Sequence, residues 1–134
     1  MNYCSFALGM ATTVFCITGC SHQEPLYNVQ HRLLPFQAEN LTHEEIEQAI
    51  IKTVARRGWT CHPKPSNKLV YSVQRRNHAA TLEIHYDTTY FSITNLNTSN
   101  LNYKNGEIHQ KNNKWVKLME HEIERAISQK SATK

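Results

Sequence analysis

The stretch 68-KLVYSVQRRNHAATLEIHYDTTYFSITNL-96 decides the fold class. From Lys68 to Arg75 apolar and polar residues alternate, which places Leu69, Tyr71 and Val73 on one face of a strand. Arg76-Asn77 reads as a turn. Alternation resumes from Ala79 to Tyr86, with Ala80, Leu82, Ile84 and Tyr86 sharing a face. Asp87-Thr88 reads as the next turn, and Thr89 to Leu96 is a third segment rich in β-formers. Consecutive strands joined by short turns make an antiparallel meander. Such a sheet has an apolar face that another layer must cover.

Covering elements flank the meander. Upstream, Thr42 to Arg57 reads as a helix, with Thr42-His43-Glu44-Glu45 fitting a capping box. Ile46, Ala49, Ile50 and Val54 recur at helical spacing. Acidic residues open this helix and Arg56-Arg57 close it, matching its dipole, and Gly58 supplies the stop. Downstream, a second helix runs from about His109 or Asn113 to Ile127, with Trp115, Leu118, Met119, Ile123, Ala126 and Ile127 along its apolar face. The order α-β-β-β-α therefore predicts an α+β fold, a two-layer sandwich with both helices on one face of the sheet.

Smaller features fill in the plan. Trp59 to His62 offers a short extra strand, while Pro63 and Pro65 keep residues 62–67 out of a central one. The stretch from Asn95 to Gly106 is rich in Asn, and Asn105-Gly106 is a tight-turn dipeptide. It either closes a hairpin between Tyr103 and Ile108 or leads into the last helix. The single folded domain is placed at residues 41–127. Residues 128–134 read as a disordered tail. Residues 20–40, interrupted by Pro25 and Pro35, read as a tether, with Leu33, Leu34 and Phe36 docking on the body.

The chain opens on MNYCSFALGMATTVFCITG, residues 1–19, with no Lys, Arg, Asp or Glu; all 15 basic and 11 acidic residues lie from Cys20 onward. Phe6 to Ile17 is mostly apolar but shorter than the roughly 20 residues that span a bilayer, and reads as a secretion signal. Ile17-Thr18-Gly19-Cys20 has the form of a lipobox. Small side chains admit the peptidase between Gly19 and Cys20, and the Cys20 thiol accepts a diacylglyceryl group. The n-region departs from the usual pattern, since the initiator amine is its one positive charge. The expectation is a lipid-anchored protein of the bacterial envelope facing the periplasm. By analogy with enterobacterial sorting, Ser21 directs it to the outer membrane.

Removing nineteen of 134 residues leaves 115, enough for one domain with one core. The net charge of +4 favours anionic envelope surfaces and is too small and scattered for nucleic acid. With Cys4 and Cys16 removed and Cys20 lipidated, Cys61 stands alone, so no internal disulfide forms and a buried, inert thiol is expected.

The residues give little chemistry. His62, His78, His85 and His109 show no metal-site spacing, and His121 on the last helix has no histidine three or four residues away. No metal or cofactor is expected. After Cys20 the glycines are Gly58 and Gly106, so there is no phosphate-cradling loop and no Gly-x-Ser-x-Gly elbow. Cys61 and His62 would point to opposite faces of a strand and cannot form a dyad. The expectation is a non-enzymatic binding or assembly module. Its partners are the membrane, through the lipid, and an envelope protein; nothing in the sequence sets an oligomeric state.

The candidate groove is Ser99, Tyr103, His109, Asn113 and Trp115, polar groups beside large apolar ones at a strand-to-helix junction. The same residues also read as structure, with Asn113 capping the last helix, His109 bonding a loop carbonyl, and Tyr103, Ile108 and Trp115 in the core. An alternative gathers Arg56-Arg57, Lys64, Lys68 and Arg75-Arg76 at one end of the sheet, against anionic lipid head groups. A metal-binding or hydrolytic periplasmic protein is the remaining alternative.

Ser99, Leu101, Tyr103, Ile108-His109, Asn113, Trp115-Val116, Leu118 and Ile123 carry a resemblance. The pattern is similar to the C-terminal signature of a family of small uncharacterised proteobacterial lipoproteins, Ser-x-Leu-x-Tyr, Ile-His, then Tyr-Asn-x-Trp-Val. The family's Tyr before the Asn is replaced here by Asn112. Gly58-Trp59 and the strands around Ile84 and Ile93 also fit, so the resemblance covers most of residues 42–127, with specificity in the C-terminal signature. It implies a lipoprotein with a compact domain and no particular reaction.

Overall fold

The computed structural model describes residues 22–134. The expected signal segment, with Gly19 and Cys20, lies outside the described residues. Strands β1 (Gln23–Pro25) and β2 (Val29–Leu33) come first, then a 3-10 turn (Phe36–Asn40) and helix α1 (His43–Arg56). Strands β3 (Thr60–Lys64), β4 (Lys68–Arg75), β5 (His78–Tyr86), β6 (Tyr90–Ser99) and β7 (Glu107–His109) lead to helix α2 (Gln110–Ala132). The main sheet is five-stranded and antiparallel, in the order β2-β6-β5-β4-β3, and β1 pairs with β7 in a separate ribbon.

The meander forms where alternation places it. Leu69 sits opposite Ile84, Tyr71 opposite Leu82 and Val73 opposite Ala80, and all six are buried. Ile84 then pairs with Ile93 and Tyr86 with Phe91, extending the apolar face across β6. This is the α+β sandwich expected from the element order, enlarged by an edge strand on each side. Pro63 is tolerated because β3 is an edge, where a missing N–H leaves no ladder partner wanting.

Helix α1 starts as its capping box dictates. The Thr42 hydroxyl accepts from the Glu45 amide at 3.2 Å, and the Glu45 carboxylate accepts from the Thr42 amide at 2.8 Å. Ile46, Ile50 and Val54 are buried, joined by Thr53, whose hydroxyl is satisfied by the Ala49 carbonyl at 2.8 Å. Gly58 closes the helix at φ +72°, a left-handed turn that costs glycine little.

Helix α2 is rotated and longer than its pattern suggests. Val116, Met119, Ile123 and Ile127 are buried, while Trp115, Leu118 and Ala126 lie at the margin of the stripe. The helix continues five residues past Ile127 to Ala132. Ser131 is buried, its hydroxyl donating to the Ile127 carbonyl at 2.7 Å, and Lys134 bonds the Asn40 carbonyl and Glu45. The disordered reading of residues 128–134 is corrected accordingly.

The larger correction concerns residues 20–40. From Gln23 they form two strands and a turn, so the tether reading fails beyond the first residues. Val29, Leu34 and Ala38 are buried in the core, which runs from Val29 to Ile127. Of the three residues expected to dock, Leu34 does so, whereas Leu33 and Phe36 are 68% and 79% exposed. No sustained period marked these strands because β1 spans three residues and β2 bends at His31, whose φ is +47°. No helix among the described residues is long and apolar enough to cross a membrane.

Candidate functional site

The five residues of the predicted groove are distributed by the fold, and only part of the set meets. Asn113 is almost fully buried on α2, where it clamps the N-terminal segment. Its Oδ1 accepts from the Tyr27 amide at 3.0 Å, and its Nδ2 donates to the Pro25 carbonyl at 2.8 Å and to Glu24 at 3.1 Å. It does not cap the helix. That role falls to His109, whose Nδ1 accepts from the Lys111 amide at 3.2 Å, and whose own amide donates to the Leu101 carbonyl at 2.8 Å. Trp115 is half-buried against the core. Ser99 is exposed at the end of β6, opposite Ala79. Tyr103 is 55% exposed, not a core residue.

Tyr103 instead lines a depression of about 520 Å³ beside β6, walled by Asn95, Asn97, Asn100 and Asn102 and floored by Leu101 and Ile108. A bulge builds it. Leu82 pairs with Asn95 but Thr81 pairs with Asn97, so Leu96 is an extra residue in β6 and turns outward, 52% exposed. Beyond β6 the chain places Asn100 and Asn102 in left-handed conformations, at φ +56° and +52°, which asparagine tolerates well. Between them the buried Leu101 pins the loop to the core.

The lining holds no Asp, Glu, His, Lys or Arg. Each carboxamide brings both donors and an acceptor. Asn95 spends its Nδ2 on Asn28 Oδ1 at 2.9 Å and the Tyr27 carbonyl at 3.3 Å, leaving its buried Oδ1 without a donor. The asparagine-rich run had read as turn chemistry. The signal that could have revealed the depression was Leu96, an apolar residue out of phase with Phe91 and Ile93.

Three histidines gather near the depression. The His109 ring centroid lies 5.9 Å from that of His22 and 5.6 Å from that of His78. His78 Nδ1 meets the Asn100 carbonyl at 2.7 Å, and His22 Nδ1 meets Gln110 Nε2 at 2.8 Å. Burial, then the charges of Lys111, His78, His22 and Lys114, hold the His109 imidazole below the usual histidine range. Among the described residues, no three His, Cys, Asp or Glu side chains converge to hold a metal ion. Cys61 is half-buried, and burial, with the Glu47 carboxylate nearby, pushes its thiol up. The neutral form disfavours nucleophilic attack.

The basic residues expected to cluster are separated. Lys64 and Lys68 flank the β3–β4 hairpin, whereas Arg75 and Arg76 lie at the far end of β4, about 23 Å away at the usual rise per strand residue. Lys68 is also paired with Glu83 at 3.4 Å, and Arg57 with Glu122 on α2. Comparison with protein-family models, curated proteins and solved structures found no match to this chain.

Proposed function

We propose that this chain is a lipid-anchored, periplasm-facing binding module of the bacterial envelope, attached through Cys20 and binding in the depression beside Tyr103. The single observation that carries the binding role is the composition of that depression: four asparagines, an exposed tyrosine and an apolar floor, with no charged side chain. Pockets that bind small or extended ligands combine apolar walls with a few polar groups that fix orientation. Carboxamides that donate and accept together suit an uncharged hydrogen-bonding partner, such as an extended peptide segment of an envelope protein.

The anchor is supported by the lipobox at residues 17–20. Several acyl chains hold a protein to a bilayer where a single one does so only marginally. Intact mass of the membrane-extracted protein tests this part: a chain starting at Cys20 and carrying acyl groups is expected, and both features should vanish in Cys20→Ala. The site is tested by photo-crosslinking in cells from position 103, with position 88 on the far turn as control. Adducts specific to position 103 are expected. Equal capture from both positions would remove the depression from consideration.

A further inference from the structure

We propose that the end of the domain nearest Cys20 is a membrane-docking face that seats on anionic lipid head groups. Its orientation rests on the lipid-anchor reading; its chemistry does not. His22 lies two residues after Cys20, and two extended residues reach at most about 7 Å. Whatever surrounds His22 is therefore held close to the bilayer once Cys20 is acylated.

His22 packs against His109, and His109 against His78. His78 pairs with Arg75 across the β4–β5 turn, which also holds Arg76, and the Asn77 carbonyl of that turn accepts from Asn100 at 2.6 Å. Lys111 and Lys114, on the first turns of α2, act electrostatically on the His109 ring. The α2 N-terminus, the β4–β5 turn and the start of the described chain thus meet at one end. They bring Arg75, Arg76, Lys111 and Lys114 to it, all four exposed.

Two further observations favour head groups over a neutral surface. Among the described residues, the ion pairs involve Arg32, Arg57, Lys68 and Lys134 and none of these four. The nearby carboxylates are Glu24, which accepts from Asn113, and Glu107, in the β7 strand that ends at His109. Two acids against four bases leave this end positive. Basic residues next to a membrane anchor add electrostatic attraction to anionic lipid, falling off within a Debye length. The hairpin carrying Lys64 and Lys68 lies at the other end of β4, facing away from the anchor.

The core lies wholly within residues 29–127, so a chain beginning at residue 20 retains it. That chain with Cys20→Ser, which carries no lipid, is mixed with vesicles of phosphatidylglycerol and phosphatidylcholine in equal parts, or of phosphatidylcholine alone, and sedimented. Binding to the anionic vesicles is expected, weakening as salt is raised. Replacing Arg75, Arg76, Lys111 and Lys114 together by Gln should weaken it at least tenfold. Lys64→Gln with Lys68→Gln should leave it within twofold, and Arg75→Gln with Arg76→Gln, which removes the same two charges, should weaken it clearly more. Circular dichroism of each variant checks that the fold is kept, and Arg75→Lys with Arg76→Lys should restore most of the loss at those two positions. Equal loss from both ends, salt-independent binding, or no preference for anionic vesicles would overturn the proposal. Docking seen here without acyl groups on the natural protein would instead remove the anchor and leave the face.

Discussion

The meander of β4, β5 and β6 and the N-terminal segment from Gln23 to Leu34 meet where β2 pairs with β6, but they are held in place by different physics. Each meander strand is specified by its own alternation and joined to the next by a short turn, so its register follows from neighbours in sequence. The N-terminal segment is placed by partners some sixty to ninety residues away. Asn113 holds the backbone at Pro25 and Tyr27, Asn95 pairs with Asn28, the Tyr27 hydroxyl donates to Glu120 at 2.7 Å, and Arg32 pairs with Glu124. A segment specified by periodic burial tolerates the loss of one polar contact. One specified by a handful of hydrogen bonds does not.

The largest expected effect lies in the meander. Leu82 is fully buried in the central strand of the sheet, and Leu82→Ala should cost about 2–5 kcal/mol of global stability, measured by urea denaturation. A loss below about 1 kcal/mol would mean that the sheet does not depend on this face in the way its register implies.

Two adjacent asparagines on α2 sharpen the contrast. Asn113→Ala leaves the backbone groups at Pro25 and Tyr27 without their partner, at about 1–3 kcal/mol. Hydrogen exchange should quicken at the amides of residues 24–33 and hold steady in β4 and β5; uniform acceleration would merge the two regions into one cooperative unit. Asn112 is fully buried, and neither polar atom of its side chain has a partner. Asn112→Leu should therefore stabilise the domain, by about 1–2 kcal/mol on the cost of burying an unpaired amide. A destabilised variant would show that the amide has a partner in solution.

The smallest effect is set by pH, where β1, β7 and α2 meet. The folded state holds His109 below its ordinary range, so the unfolded chain binds the extra proton first as pH falls. Stability is full above about pH 6.5, the unperturbed histidine value, and declines as pH drops through the lower folded value. Protonation also removes the Nδ1 lone pair that caps α2. Denaturation midpoints across this range should fall with pH in the natural protein and fall less in His109→Asn, which keeps a capping side chain without titrating.

The candidate site shows the same division. Tyr103 was legible as one of a cluster of large and polar side chains, but its companions Ser99, His109, Asn113 and Trp115 were drawn from a junction that the fold spreads over a strand end, a cap, a clamp and a core margin. The walls of the depression come from a bulge that shifts β6 by one residue at Leu96. A shift of register depends on two strands together and leaves no period in either one.

By itself, the sequence determined the meander, the start and stop of α1, and the apolar stripe that brings α2 to the sheet. Each of these is local, fixed by side-chain period, capping and turn residues within a few positions. Only the tertiary structure decided that Val29–Leu33 completes the sheet while Gln23–Pro25 pairs with β7, that Asn113 faces inward, and that Arg75 and Lys111 share an end with His22. Those outcomes depend on hydrogen bonds and proximities between distant parts of the chain, which are settled when the layers close.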